Sequence, residues 1–216
     1  MIIVHEGLPK EAKRISRTLN QVYGLRSQIV CSDLCSAFVP IPRFNGFKTS
    51  GQRLSKYLAR EYDSKKYVVV TPRDIYFETK RQDDDWIFGY QWDNLMVVST
   101  ARLKNTKDLP QEHYLQRVEF IAVHEVGHSA IREKHYKNAT WVSSTGYKLP
   151  LGPHCTDNQC VMYEIVDLKA PPLTQGYMKL GREKRYDAGL DDVLEKMHPH
   201  FLCSKCTEAI EINSEF

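Results

Sequence analysis

Residues His124-Glu125-Val126-Gly127-His128 set two imidazoles four positions apart, with a carboxylate directly after the first. On a helix that spacing is one turn, so both rings lie on one face and can reach a single metal ion at Zn–N distances of ~2.0–2.1 Å. Glu125 lies beside that face, placed to act on a metal-bound water rather than as a ligand. The segment before the motif supplies the helix it requires. Leu115, Val118, Ala122 and Val126 recur at steps of three or four after Pro110, a residue tolerated in a first helical turn.

A second constellation uses sulfur. The six cysteines fall at positions 31, 35, 155, 160, 203 and 206. Cys155 and Cys160 form a C-x4-C pair, and Cys203 and Cys206 a C-x2-C pair. Each pair can chelate from one turn, and together they make a tetrahedral thiolate site for Zn²⁺. Disulfides would be the reading in a small secreted protein, but this chain is not small. Its start, Met1–Val4, runs straight into His5 and Glu6, which leaves no apolar region for a signal peptide. Cys31 and Cys35 are expected to be buried thiols. His198 and His200 flank Pro199 near Cys203, but four thiolates already complete the site.

The order of these parts resembles the archaemetzincins, a branch of the metzincin zinc peptidases: H-E-x-x-H, a His-Cys step at His154-Cys155, C-x4-C-x-M ending at Met162, and a terminal C-x-x-C. The match runs from His124 to Cys206. The resemblance implies a catalytic zinc held by His124, His128 and a third histidine, with Glu125 as general base. It also implies a methionine turn at Met162 and a structural zinc on Cys155, Cys160, Cys203 and Cys206. The family pattern puts a glycine at 131 and the third histidine at 134, where this chain has Ile131 and Lys134. Two candidates remain. His135 lies on the helix face two turns on, about 10 Å along the axis from His128, with no Gly or Pro between 129 and 145 to break the helix. His154 precedes Cys155 as the family's third histidine precedes its first cysteine, and Gly152-Pro153 offers a turn before it. His154 is therefore the expected ligand, displaced from 134 to 154 by an insertion between Ser129 and Pro153 that would lie beside the cleft.

The elements that must position these groups follow from periodicity. Lys10–Tyr23 has the spacing of an amphipathic helix ended by Gly24, and Gln52–Tyr62 that of a second. Ser27–Cys31, Lys66–Thr71 and the pair Trp86–Tyr90 and Leu95–Thr100 read as strands, the last two as a hairpin about Trp92-Asp93-Asn94. Phe38–Phe47 reads as a loop or edge segment. Residues 136–162, rich in Gly, Pro, Ser, Thr and Asn, read as loop. Short helices are expected around Leu173–Gly181 and Leu190–Met197.

The fold class is thus α/β (α+β) and metzincin-like: a twisted mixed sheet backed by helices, a long active-site helix, and a small irregular zinc-stapled C-terminal subdomain. The boundary falls between 1–135 and 136–216, within one catalytic domain. With 216 residues, 42% hydrophobic and 26% charged, the composition is that of a globular protein. A net charge of +3 gives no basic field for nucleic acid, and no apolar run approaches a membrane span. The expectation is a cytoplasmic, monomeric, two-zinc metallopeptidase acting on peptide or protein substrates, with no nucleic-acid or membrane partner. The strand before the active-site helix, Leu95–Thr100, would pair with extended substrate by edge addition. The alternative is a catalytically inactive two-zinc binding or regulatory module of the same fold.

Overall fold

A computed structural model describes residues 1–34, 38–41, 46–49, 51–62, 66–77, 86–104, 108–131, 136–143, 146, 148–164, 168, 176–180, 183–185 and 189–210. His135 and Cys35 lie outside these residues. The chain divides into two units, Met1–Ser129 and Ala130–Glu211.

The first unit runs β1 (Ile2–His5), α1 (Pro9–Tyr23), β2 (Gln28–Cys31), β3 (Phe38–Ile41), β4 (Gly46–Thr49), α2 (Gly51–Glu61), β5 (Tyr67–Thr71), β6 (Ile75–Phe77), β7 (Trp86–Ile87), β8 (Gly89–Trp92), β9 (Leu95–Ser99) and α3 (Gln111–Ala130). Its main sheet has the order β2-β1-β5-β9-β8. The first four strands are parallel, and β8 returns antiparallel to β9 through a turn at Asp93, whose φ is 53°. Strands β5 and β9 are buried along their whole length because both faces of the sheet are covered. Ile2, Val4, Tyr67, Val69, Leu95 and Val97 line one face with Leu54 and Leu58 of α2. The alternate set, Ile3, Val68, Val70, Met96 and Val98, is buried equally. Each such side chain stabilises the fold by ~1.5–3 kcal/mol. Helix α1 ends as its sequence predicts: Gly24 takes φ 69°, its N–H donates to Asn20 O, and the next N–H, of Leu25, donates to Leu19 O.

Three expectations need correction here. Phe38–Phe47 is not a loop: β3 and β4 form an antiparallel pair in a second sheet, order β3-β4-β6-β7. Leu95–Ser99 is not an edge, since β5 and β8 flank it; the antiparallel β8 is the outer strand. Cys31 is an exposed thiol, not a buried one.

The second unit holds β10 (Lys137–Ser143), β11 (Lys148–His154), β12 (Gly176–Leu180), β13 (Glu183–Arg185), α4 (Leu190–Lys196) and α5 (Ser204–Glu208). The segment read as loop is a β10–β11 hairpin in an antiparallel sheet of order β11-β10-β12-β13. Pro150 and Pro153 disguise β11, but it is the outer strand, where a missing N–H costs no ladder bond. Residues 176–180 form a strand rather than the expected helix, whereas α4 is helical as expected. No described helix is long and apolar enough to cross a membrane.

Candidate metal centres

The four cysteines that the spacing pairs are brought together within the second unit. Cys155 follows the last residue of β11, Cys160 lies in the next turn, Cys203 caps α5 and Cys206 lies inside it. Backbone bonds hold the loops that carry them: Cys155 N–H donates to Met162 O at 2.9 Å, Val161 N–H to Phe201 O at 2.8 Å, and His198 N–H to Gln159 O at 3.1 Å. All four Sγ atoms lie within 4.8 Å of one another. Cys155 and Cys203 are 3.8 Å apart and Cys160 and Cys206 3.5 Å apart, far beyond a disulfide bond. A tetrahedron with Zn–S bonds of ~2.3 Å has edges of ~3.8 Å, so the cluster has the size of a zinc site.

Hydrogen-bond donors surround the sulfurs. Backbone N–H groups of Asp157, Cys203 and Cys206 point at Sγ of Cys155, Cys160 and Cys203 at 3.4–3.5 Å. Tyr136 Oη lies 3.4 Å from Cys206 Sγ, and burial pushes the phenol pKa up, so it stays a hydroxyl able to donate to the sulfur. Hydrogen bonding to Cys155 raises the thiol pKa of both Cys160 and Cys206. Four clustered sulfurs cannot all carry charge without a cation among them. His198 pairs with Asp157 at 3.0 Å instead of replacing a cysteine. Met162, the residue of the implied methionine turn, is fully buried beside Cys160.

The histidine pair belongs to the first unit. Every residue of α3 from Arg117 to Gly127 is buried, which explains why its apolar periodicity extends into the motif. His124 and His128 cross edge to face at 82°, with their Nε2 atoms 3.2 Å apart. A tetrahedral site with Zn–N bonds of ~2.0–2.1 Å has an edge of ~3.3 Å, the separation these nitrogens already have. Helix α1 fixes this turn of α3: Tyr23 Oη donates to Val123 O at 2.9 Å, and Arg14 pairs with Glu119 at 2.7 Å. The hydrogen bond to Glu119 raises the Arg14 pKa, so the guanidinium stays charged.

Glu125 is buried against the outer strand. A methyl group at Gly89 of β8 would lie 2.8 Å from Glu125 Oε1, 2.9 Å from its Cγ and 2.7 Å from Val97 O. Glycine alone admits the carboxylate there. Replacing Gly89 by Ala should therefore destabilise the protein by about 1–3 kcal/mol in denaturant unfolding; unchanged stability would show that the strand has room to yield. Gly89 carried no signal in the sequence beyond being a glycine in a strand.

His154, in the second unit, ends β11 immediately before Cys155 and is 2% exposed. Its Nδ1 faces Gly152 O at 3.3 Å and its Nε2 contacts the Glu164 carboxylate. Sequence reasoning left Glu164 unassigned.

Neither a protein-family model nor a curated protein matches the sequence. Three solved structures resemble the fold. The archaemetzincin of Archaeoglobus fulgidus, complexed with malonate, is 20% identical with a TM-score of 0.55, over 97% of this chain and 100% of that one. The archaemetzincin of Methanopyrus kandleri is 21% identical with a TM-score of 0.55, over 96% and 90%. A zinc-dependent peptidase from Methanocorpusculum labreanum is 16% identical with a TM-score of 0.58, over 97% and 99%. At these identities the likeness establishes the fold, which is the mixed α/β fold of the archaemetzincins.

Proposed function

We propose that this chain is a zinc-dependent metallopeptidase, with a catalytic zinc on His124, His128 and His154, a structural zinc on Cys155, Cys160, Cys203 and Cys206, and Glu125 as general base. The observation that carries the reading is the His124–His128 pair, whose Nε2 atoms stand at the edge length of a zinc tetrahedron beside a buried carboxylate. A purely structural site has no use for such a base. The resembling folds, two archaemetzincins and a zinc-dependent peptidase, support it.

A zinc ion held by His124, His128 and His154 would supply Lewis acidity to a scissile carbonyl and to the attacking water. The chain's own groups do the rest. Glu125, held on α3 and walled by β8, accepts a proton from the attacking water and returns it to the leaving amine. The outer strand β8 offers backbone N–H and C=O groups on the side away from β9, suited to an extended peptide added as a further strand.

The test is incubation of the zinc-loaded protein with a library of unstructured peptides, with new termini read by mass spectrometry. Cleavage that 1,10-phenanthroline abolishes and added zinc restores is expected. An uncut library would favour a non-catalytic two-zinc binding module.

A further inference from the structure

Tyr136 has no part in the peptidase reading, yet the fold of the second unit fixes its place. It lies one residue before β10, whose first rung pairs Lys137 with His154 at the end of β11. The next rung of that antiparallel register sets Tyr136 opposite Cys155. Closing the β10–β11 hairpin thus carries a phenol from the inserted segment to the edge of the sulfur cluster. There its Oη lies 3.4 Å from Cys206 Sγ.

The other three sulfurs are served by the backbone. Cys155 receives the N–H of Asp157, Cys160 that of Cys203, and Cys203 that of Cys206, at 3.4–3.5 Å. These donors come from the turns that carry the cysteines and survive any side-chain exchange. Cys206 differs, because the hydroxyl aimed at it comes from outside both cysteine pairs and one substitution removes it. A zinc-bound cysteine is a thiolate, which only accepts, so in the metal-loaded protein the phenol donates. A hydrogen bond to the charged sulfur stabilises it against the proton that competes with the metal, and makes it a weaker nucleophile.

We infer that Tyr136 is a positioning residue for the structural zinc: its hydroxyl holds the Cys206 thiolate on the metal, shields it from electrophiles, and fastens the inserted hairpin to the cysteine turns. This rests on the four-cysteine zinc site of the proposed function and is independent of chemistry at the histidines. Without the hydroxyl, Cys206 becomes the sulfur at which zinc release and alkylation begin.

The test compares the zinc-loaded wild type with Tyr136→Phe, which keeps the ring and removes only the oxygen. Zinc transfer to a chromophoric chelator is followed alongside N-ethylmaleimide labelling mapped by peptide mass spectrometry. The variant should hold zinc at the cysteines ~10–100-fold less tightly, and Cys206 should be the first of the four clustered thiols labelled. Tyr136→3-fluorotyrosine, close in shape and a stronger donor, should slow zinc release below the wild-type rate. That second variant decides the matter even if the phenylalanine variant does not fold, because a ring that only packs would leave release unchanged. Release within twofold of the wild type in both variants, with Cys206 labelled no earlier than its neighbours, would overturn the assignment and leave the zinc site standing. If the wild type binds no zinc at the cysteines, the structural-zinc reading fails and this inference with it.

Discussion

Replacing Cys206 by Ser should strip one zinc per chain and unfold the second unit while the first stays folded. The described apolar core of Ala130–Glu211 is small: beyond the cysteines, Val161, Met162, Tyr163, Leu190, Val193 and Leu202 are among its few buried apolar side chains. Several of these sit on the two loops that the cysteines tie together. Structural zinc contributes an apparent ~10–16 kcal/mol at neutral pH, comparable with the whole stability of an ordinary domain. Removing one thiolate leaves three sulfurs clustered without the charge balance that held them. Zinc content should fall from two to one per chain, and amide hydrogen exchange should accelerate across 137–206 but not in β1, β5 and β9. Acid should act in the same direction. Because neighbouring thiols raise the pKa of Cys160 and Cys206, these two thiols hold their protons when no metal is bound, and zinc must displace them. Zinc affinity therefore rises with pH and is lost on acidification. Full zinc occupancy and unchanged exchange in Cys206→Ser would refute the structural role.

Glu125→Gln should keep both zinc ions and lower kcat by ~10²–10⁴-fold, the range that general acid–base catalysis contributes. Glutamine has nearly the shape of glutamate, so the close approach to Gly89 is preserved and the fold should not change. What it lacks is the ability to take a proton. A variant that cleaves peptides within tenfold of the wild type would remove Glu125 from the reaction. Loss of zinc along with activity would instead show that the carboxylate supports the metal.

The sequence disclosed the parts of this molecule whose signals are local. A run such as Tyr67–Val70 can only be a buried strand, and Leu19, Tyr23 and Gly24 mark both the face and the end of α1. The i, i+4 histidines and the two close cysteine pairs announce metal chemistry because one turn suffices to aim both ligands. What stayed hidden depends on partners far along the chain. Residues 136–162 look like loop because Pro150 and Pro153 punctuate them, and only the pairing of β10 with both β11 and β12 makes 137–143 and 148–154 sheet. Strand order is likewise silent in periodicity: Leu95–Ser99 and Gly89–Trp92 are both strand-like, and nothing local says which is outermost. Gly89 matters because Glu125, 36 positions later, comes against it. Glu164 meets His154 only because the turn after Cys155 folds it back.

The measurement that bears most directly on the two-zinc account is an anomalous difference map at the zinc absorption edge from crystals of the purified protein. The account predicts two peaks. One lies ~2.3 Å from Sγ of Cys155, Cys160, Cys203 and Cys206, and the other ~2.0–2.1 Å from Nε2 of His124, His128 and His154. A single peak at the cysteines, with the three imidazoles binding no metal in zinc-saturated crystals, would contradict it and leave a zinc-stapled fold without a catalytic centre.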